Sequence, residues 1–335
     1  MRSVKTPTLI LALGMLLLGE WLGNGVAAAL GAGANPEAKV GPAAARRLTF
    51  LPAIFRASHP PVYRPAPGST WLEFVNYYRA LAYLPPVTED PALTGGAQKH
   101  AHYMILNNVI EPFEISIGRQ GYTPEGATAA AGSLLLGSTT SVTTDEQALV
   151  YWMQGPFHAL GILDPALQRT GFGSERNPGG ALIRMAAALD IVSGLDPRST
   201  PTDLYPVMWP SDGITVPLRS YTQGTDAPEP LTSCPGYLSP TGLPVLIQVG
   251  DGGLPAVSVT SSAILQGATP VEYCIFTENT YTNPDSEMQV RGRAVLGARD
   301  AVVLIPRYPL VAGATYTVAI TANGQFLQWS FTAGN

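Results

Sequence analysis

The sequence predicts an α+β chain in which a helix-rich block precedes an all-β sandwich. Three observations carry this. Residues 69 to about 160 hold apolar side chains at helical spacing behind capping residues. After about Pro206 that period vanishes, and short β-type runs appear between Gly, Pro, Asn and Asp. At 335 residues, 46% hydrophobic and 13% charged, the chain can fill two cores and carries too little charge for a disordered one.

The N-terminus reads as an export signal over residues 1–34. Arg2 and Lys5 form a short positive region, Leu9–Leu18 is nearly all apolar, and small residues follow at Ala27–Ala29 and Ala32–Ala34. A cleaved signal is the favoured reading and an uncleaved anchor the alternative. Glu20 keeps the run shorter than the roughly 20 residues of a spanning helix, and no membrane span is expected in the mature chain. Residues 35–68 carry seven prolines and read as a spacer, with His59 inside it.

The helical block spans 69–200. Ser69 or Thr70 caps a helix running to about Ala82, which Leu84-Pro85-Pro86 ends. Asp90-Pro91 opens a second helix with the stripe Leu93, Ala97, Ala101, Met104 and Ile105. Overlapping capping boxes at Thr143 and Thr144 start a third, with Ala148, Leu149, Trp152 and Met153 on its apolar face. Residues 118–142 show no clear period. Residues 169–173 and 182–191 read as strands. The β region spans 206–335, with runs at 243–249, 256–260, 271–277, 302–305, 315–321 and 326–331, and Asn323-Gly324 as a hairpin turn. The prolines at 197, 201 and 206 mark a boundary at which a cut is expected to give two folded pieces. Cys234 and Cys274 are the two cysteines; an oxidising compartment favours a disulfide, and two buried thiols are the alternative.

The helical block resembles the CAP superfamily, the cysteine-rich secretory and pathogenesis-related group, in its bacterial form. The stretches that carry this are Phe74–Leu81 with Leu84–Val87, Ala97–Met104, Trp152–Pro165 and Thr170-Gly171-Phe172-Gly173. The resemblance implies a three-layer α/β/α sandwich. The C-terminal part resembles a bacterial immunoglobulin-like module through Pro210–Pro217 and Leu310–Val318.

Many CAP domains place two histidines and two acidic residues around a central cleft, a set that can hold a divalent metal. Here Pro112 stands where the first histidine is expected, and Ala131–Gly137 offers no carboxylate where a Gly-Glu-Asn segment is expected. His158 and Glu146 alone match site positions, so no metal and no cofactor are expected. For Glu146 the favoured reading is the first turn of a helix, where a carboxylate meets free N–H groups, and His158 suits a structural bond to the turn beneath it as well as a site role. His100 and His102, two apart on a helix, point away from each other, and His100 reads as a core histidine. Glu111, Glu114 and Glu125 read as solvated loop residues.

The chain has a formal net charge of −5 and no basic stripe, which excludes nucleic acid as a partner. It carries neither a nucleophile elbow nor a phosphate-binding glycine loop. The function these features favour is a secreted, non-catalytic binding or surface-interaction protein. Its partner would be a small apolar ligand or an extracellular protein, met by His158, Glu146, Glu125, Tyr122 and Phe157, with Trp152 as a further aromatic. The alternative is a secreted hydrolase using His158 with Glu146 or Glu125. A carboxylate beside His158 in an open cleft would favour the hydrolase; burial of His158 away from any carboxylate would favour binding.

Overall fold

The computed structural model describes Leu9–Ile10 and residues 62–335. The signal segment, Leu9–Ile10 apart, and the spacer through residue 61 lie outside the described residues. In chain order the helical block holds β1 (Leu9–Ile10), α1 (Trp71–Ala80), β2 (Thr88–Glu89), α2 (Pro91–Asn107), α3 (Pro124–Gly132), β3 (Ser133–Ser138), α4 (Asp145–Gln154), α5 (Pro156–Ile162), β4 (Arg169–Arg176) and β5 (Met185–Asp190). The β region holds β6 (Val207–Trp209), β7 (Thr215–Val216), β8 (Ser220–Tyr221), β9 (Thr241–Gly242), β10 (Val245–Gln248), β11 (Val259–Gln266), β12 (Thr269–Pro270), β13 (Tyr273–Phe276), α6 (Ser286–Gly297), β14 (Ala301–Pro306), β15 (Thr315–Ala322) and β16 (Gln325–Ala333).

The first three predicted helix starts are where their caps place them. Thr70 and Glu73 form a capping box on α1, Asp90 caps α2 ahead of Pro91, and Thr144 with Gln147 boxes α4. These helices sandwich a sheet of order β1-β3-β5-β4-β2. Strand alternation sorts the layers. Leu135, Ala186 and Ala188 pack with Ala97, Ala101, Met104 and Ile105 of α2. Their neighbours Leu134, Leu136, Ala187 and Leu189 turn to the other face, toward α1, α4 and α5. Gly171 and Gly173 explain how closely α2 lies on β4. A Cβ on Gly171 would stand 2.2 Å from the backbone of Leu93 and Thr94, and one on Gly173 2.1 Å from Gln98 N. Phe172 between them faces away and stacks on Trp71 at 5.6 Å.

Three expectations need correction. Residues 118–142, without an apparent period, contain α3 and β3. Thr123 caps α3 ahead of Pro124 and Glu125, a start signal obscured by the Ala/Gly composition that follows. The β region is not all-β: Asp285 accepts from Glu287 N and Met288 N and opens the 12-residue α6. Glu114 is not solvated. Its side chain is fully buried, with Oε1 3.1 Å from His100 Nδ1 and Oε2 accepting from Thr123 N. Glu111 O receives the other ring nitrogen of His100 at 3.0 Å, so His100 is the satisfied core histidine its position suggests.

The β region forms a four-stranded sheet, β13-β14-β10-β6, a five-stranded sheet, β12-β11-β15-β16-β7, and the pair β8-β9. The Asn323-Gly324 hairpin joins β15 to β16, with both turn residues at positive φ. Cys234 and Cys274 form a disulfide with a Cα–Cα distance of 5.5 Å, tying the turn before β9 to β13. Every residue of β10 and β14 is buried, which requires cover on both faces of their sheet.

The described residues cluster as one compact unit, and the main apolar core runs across the 200/206 boundary. Ser211 N bonds Leu81 O, Tyr83 Oη bonds Asp212 O, and Gln248 Nε2 bonds Leu163 O at 2.8 Å. Tyr78 meets Trp209 edge-on at 6.0 Å. The boundary thus marks a change of secondary structure rather than a gap in packing.

Arg79, fully buried, stitches the helical block from inside. Its guanidinium donates to the carbonyls of Pro85, Ile162, Asp164 and Leu167. Burial pulls its pKa down to about 10, against the attraction of Asp164, so it stays charged at neutral pH.

Candidate functional site

Helix α5 begins at Gly155, which has no side chain to cap it, and Pro156 at the first position has no N–H. The next free donor, Phe157 N–H, is taken by Asp226 Oδ2 at 2.7 Å. Asp226 comes from 69 residues further along the chain and supplies the carboxylate that a helix N-terminus favours. Glycine at 155 makes room for it, since a Cβ there would stand 2.6 Å from Asp226 Cγ.

Asp226 Oδ1 accepts from Ala227 N and stands 3.0 Å from His158 Nδ1. The contact is close but out of line for a hydrogen bond, and among the described residues neither ring nitrogen of His158 has an aligned partner. His158 and Asp226 are both sealed from solvent, with side chains 1% and 0% exposed.

His158 lines a small cavity of about 40 Å³. The junction of α3 and β3, the α5 face, Ile191-Val192, Ala227-Pro228 and the α6 region enclose it. Helix α6 and the 226–228 segment thus lie over the face of the helical block that presents His158. Ser133 Oγ and Arg299 Nε also lack partners among the described residues, and both residues line the same cavity. Arg299 is otherwise held by Asp164 Oδ2 at 3.0 Å and by Val295 O.

The five predicted site residues do not come together. Phe157 lines the cavity beside His158, meeting Tyr281 edge-on at 5.1 Å and stacking on Phe276. Glu146 stands in the first turn of α4 and pairs with Arg64. Glu125, in the first turn of α3, pairs with Lys99 at 3.2 Å; its own backbone N–H and Lys99 hold its carboxyl below the usual range. Tyr122 is 41% exposed on the loop before α3. Neither Glu146, Glu125 nor Tyr122 lines the cavity. The carboxylate beside His158 is therefore Asp226, not the Glu146 or Glu125 of the hydrolase expectation. Trp152 is a core residue, its Nε1 donating to Leu135 O.

Sequence reasoning missed Asp226, Ser133 and Arg299. Ser133 falls in the stretch without a carboxylate. Asp226 lies in a Gly/Thr/Pro-rich turn with no local period, and only the tertiary fold places it at α5. Among the described residues, no group of three or more His, Cys, Asp or Glu side chains gathers as a metal-holding set, and no helix is long and apolar enough to cross a membrane.

Residues 72–185 match the family model of CAP, the cysteine-rich secretory protein family. The match covers about a third of the chain and supports the resemblance read from that stretch. CAP domains are typically extracellular, and the Cys234–Cys274 disulfide is consistent with that setting. No curated protein and no solved structure matches the chain.

Proposed function

We propose, from the CAP domain within residues 72–185, that this is a secreted, non-catalytic binding or surface-interaction protein. In this reading a CAP-like block over 69–200 and an immunoglobulin-like module over 206–335 act as one body. The observation that carries it is the burial of His158 beneath the chain's own C-terminal part. A general acid or base must reach its substrate within a hydrogen bond's length. His158 instead faces Asp226, itself engaged with Phe157 N–H and Ala227 N–H. With Pro112 and Ser133 in the stretches where the family's ligands are expected, two further site positions lack metal-binding side chains.

The test is activity and metal binding of the exported protein. N-terminal sequencing is expected to find a start between residues 30 and 35. Ester, peptide and glycoside substrates are expected to show no turnover that His158→Ala removes. Calorimetric titration with zinc near neutral pH is expected to show no sub-micromolar site. Turnover or tight zinc binding abolished by His158→Ala would overturn the reading.

One observation favours the hydrolase instead. Ser133, His158 and Asp226 supply the side-chain types of a nucleophile, a base and an orienting acid. Ser133 Oγ has no competing partner among the described residues. Hydrolysis lost in Ser133→Ala would install that reading.

A further inference from the structure

We infer that the edge of β3, uncovered when the export signal is removed, is the docking site for a short extended aliphatic segment of a partner protein. The inference deepens the surface-interaction reading and rests on the export it assumes. Backbone parity defines the edge. Ile191 N donates to Gly132 O, the pair one step before Ser133–Asp190 in the antiparallel register of β3 with β5. Along such a ladder alternate residues bond the partner strand. Leu134, Leu136 and Ser138 therefore turn their backbone N–H and C=O groups toward β5, and Ser133, Leu135 and Gly137 turn theirs away from it. Leu135 O is taken by Trp152 Nε1 at 3.3 Å. Gly137 is met by β1: Ile10 stands opposite Gly137 and Leu9 opposite Ser138, in antiparallel sense. Ile10, facing an outward-turned residue, holds the position at which both backbone bonds are exchanged.

Leu9 and Ile10 belong to the apolar run of the export signal, so the cut that releases the chain also takes away the neighbour of β3. The strand then ends its sheet. Its sequence, Ser133-Leu134-Leu135-Leu136-Gly137-Ser138, holds no charge and no proline, the devices that keep an edge from pairing. The surroundings say what fits. Gly137 lies on the α2 face of the sheet, as Leu135 does, and its partner on β5 is Ala186. Two small residues side by side leave room in the apolar cluster that Leu135, Ile183 and Met104 help to build. A strand residue opposite Gly137 points its side chain to that same face, so an aliphatic side chain there is favoured. On the other face Ser138 and Thr143 join their hydroxyls at 2.7 Å, and the next residue of the incoming strand meets a polar pair already satisfied. The edge thus takes backbone bonds at Gly137 and one aliphatic side chain, the pattern of strand addition.

The test titrates the exported protein with a synthetic peptide of residues 6–13, given a lysine tail for solubility, and reads binding by calorimetry and by 1H–15N spectra. Saturable one-to-one binding is expected, with the Gly137 amide shifting and exchanging more slowly. Methylating the Ile10 nitrogen of the peptide removes the donor to Gly137 O and should weaken binding roughly tenfold. Ile10→Lys in the peptide should weaken it tenfold or more, the loss of a buried aliphatic side chain, whereas Leu9→Lys should change it by about twofold at most. All three changes are in the peptide, so the fold of the protein is not at stake. No saturable binding, an unmoved Gly137 amide, or equal binding of the methylated peptide would overturn the inference while leaving the non-catalytic reading intact. Dimers of the exported protein that the peptide disperses would give the edge to a second copy and would overturn it as well.

Discussion

Removing the Asp226 carboxylate tests whether the β region completes helix α5. Asp226→Ala leaves Phe157 N–H without its 2.7 Å acceptor, frees Ala227 N–H and strips the charge from the buried end of α5. A lost cap costs about 1 kcal/mol and a buried donor left unpaired about 1–3 kcal/mol. The sum is about 3 kcal/mol. At roughly 2 °C per kcal/mol for a protein of this size, the melting temperature should fall by about 6 °C. Asp226→Asn, which keeps the shape and one acceptor, should cost about half as much.

A second substitution sharpens the test. Gly155→Ala drives a Cβ to 2.6 Å from Asp226 Cγ, so it should cost about 2 kcal/mol in the parent. In the Asp226→Ala background Cγ and the oxygens are gone while the Cβ, 2.7 Å from the new methyl, remains, so Gly155→Ala should cost clearly less than in the parent. The backbone allows it, since Gly155 has φ −89°. Urea denaturation of the four proteins gives the coupling energy. Asp226→Ala within 0.5 kcal/mol of the parent, or strictly additive effects (the 0.5 being about the size of a neutral surface change), would refute the capping argument.

Three further outcomes follow from the same structure. Gly173→Ala places a Cβ 2.1 Å from Gln98 N, a backbone atom that cannot swing aside, so calorimetry should show a loss of about 3 kcal/mol or more. Arg79→Met leaves the carbonyl of Pro85 and the buried carbonyls of Ile162, Asp164 and Leu167 without their donor and should cost about 4 kcal/mol in urea melts, far beyond a surface Arg change. Burial raises the Glu229 carboxyl above its ordinary 4.5, against hydrogen bonds from Leu231 N, Gly224 N and Tyr221 Oη. A raised acid binds its proton more tightly folded than unfolded, so its contribution fades as pH climbs from 4.5 through the folded value. The stability of Glu229→Gln relative to the parent should therefore rise between pH 4.5 and 6.5; a flat or falling difference would contradict the burial argument.

The sequence revealed those parts of the fold that are set by near neighbours. Thr70, Asp90 and Thr144 announce their helices because a cap acts within three residues. Asn323-Gly324 announces its hairpin because the turn dictates the register. Gly171 and Gly173 carried the resemblance, and the close approach of α2 gives their physical reason. Helix α3 was hidden because Ala and Gly dilute any apolar stripe, although Thr123-Pro124-Glu125 was there to be read. The site was least legible. His158 was found, but its partner Asp226 is 68 positions away, and nothing local to Thr225-Asp226-Ala227 tells a buried carboxylate from a solvated one. Arg299 and Ser133 share that difficulty, since a missing partner becomes visible only once the fold has brought the surroundings together.

The central strands β10 and β14 of their sheet have no outward face, and this bears on how such a chain can change over generations. A module that presents a polar skin to its neighbour can be copied, lost or grafted elsewhere at little cost. Val245–Gln248 and Ala301–Ile305 present none. Transplanted behind an unrelated domain, the β region would carry a bare strip of Val, Leu and Ile into water, and exposed apolar strips of that kind recruit other chains. Inheritance of the two halves is therefore expected to be joint: residues such as Gln248, which reaches across to Leu163 O, should change together with the helical surface they touch rather than with the sheet they belong to.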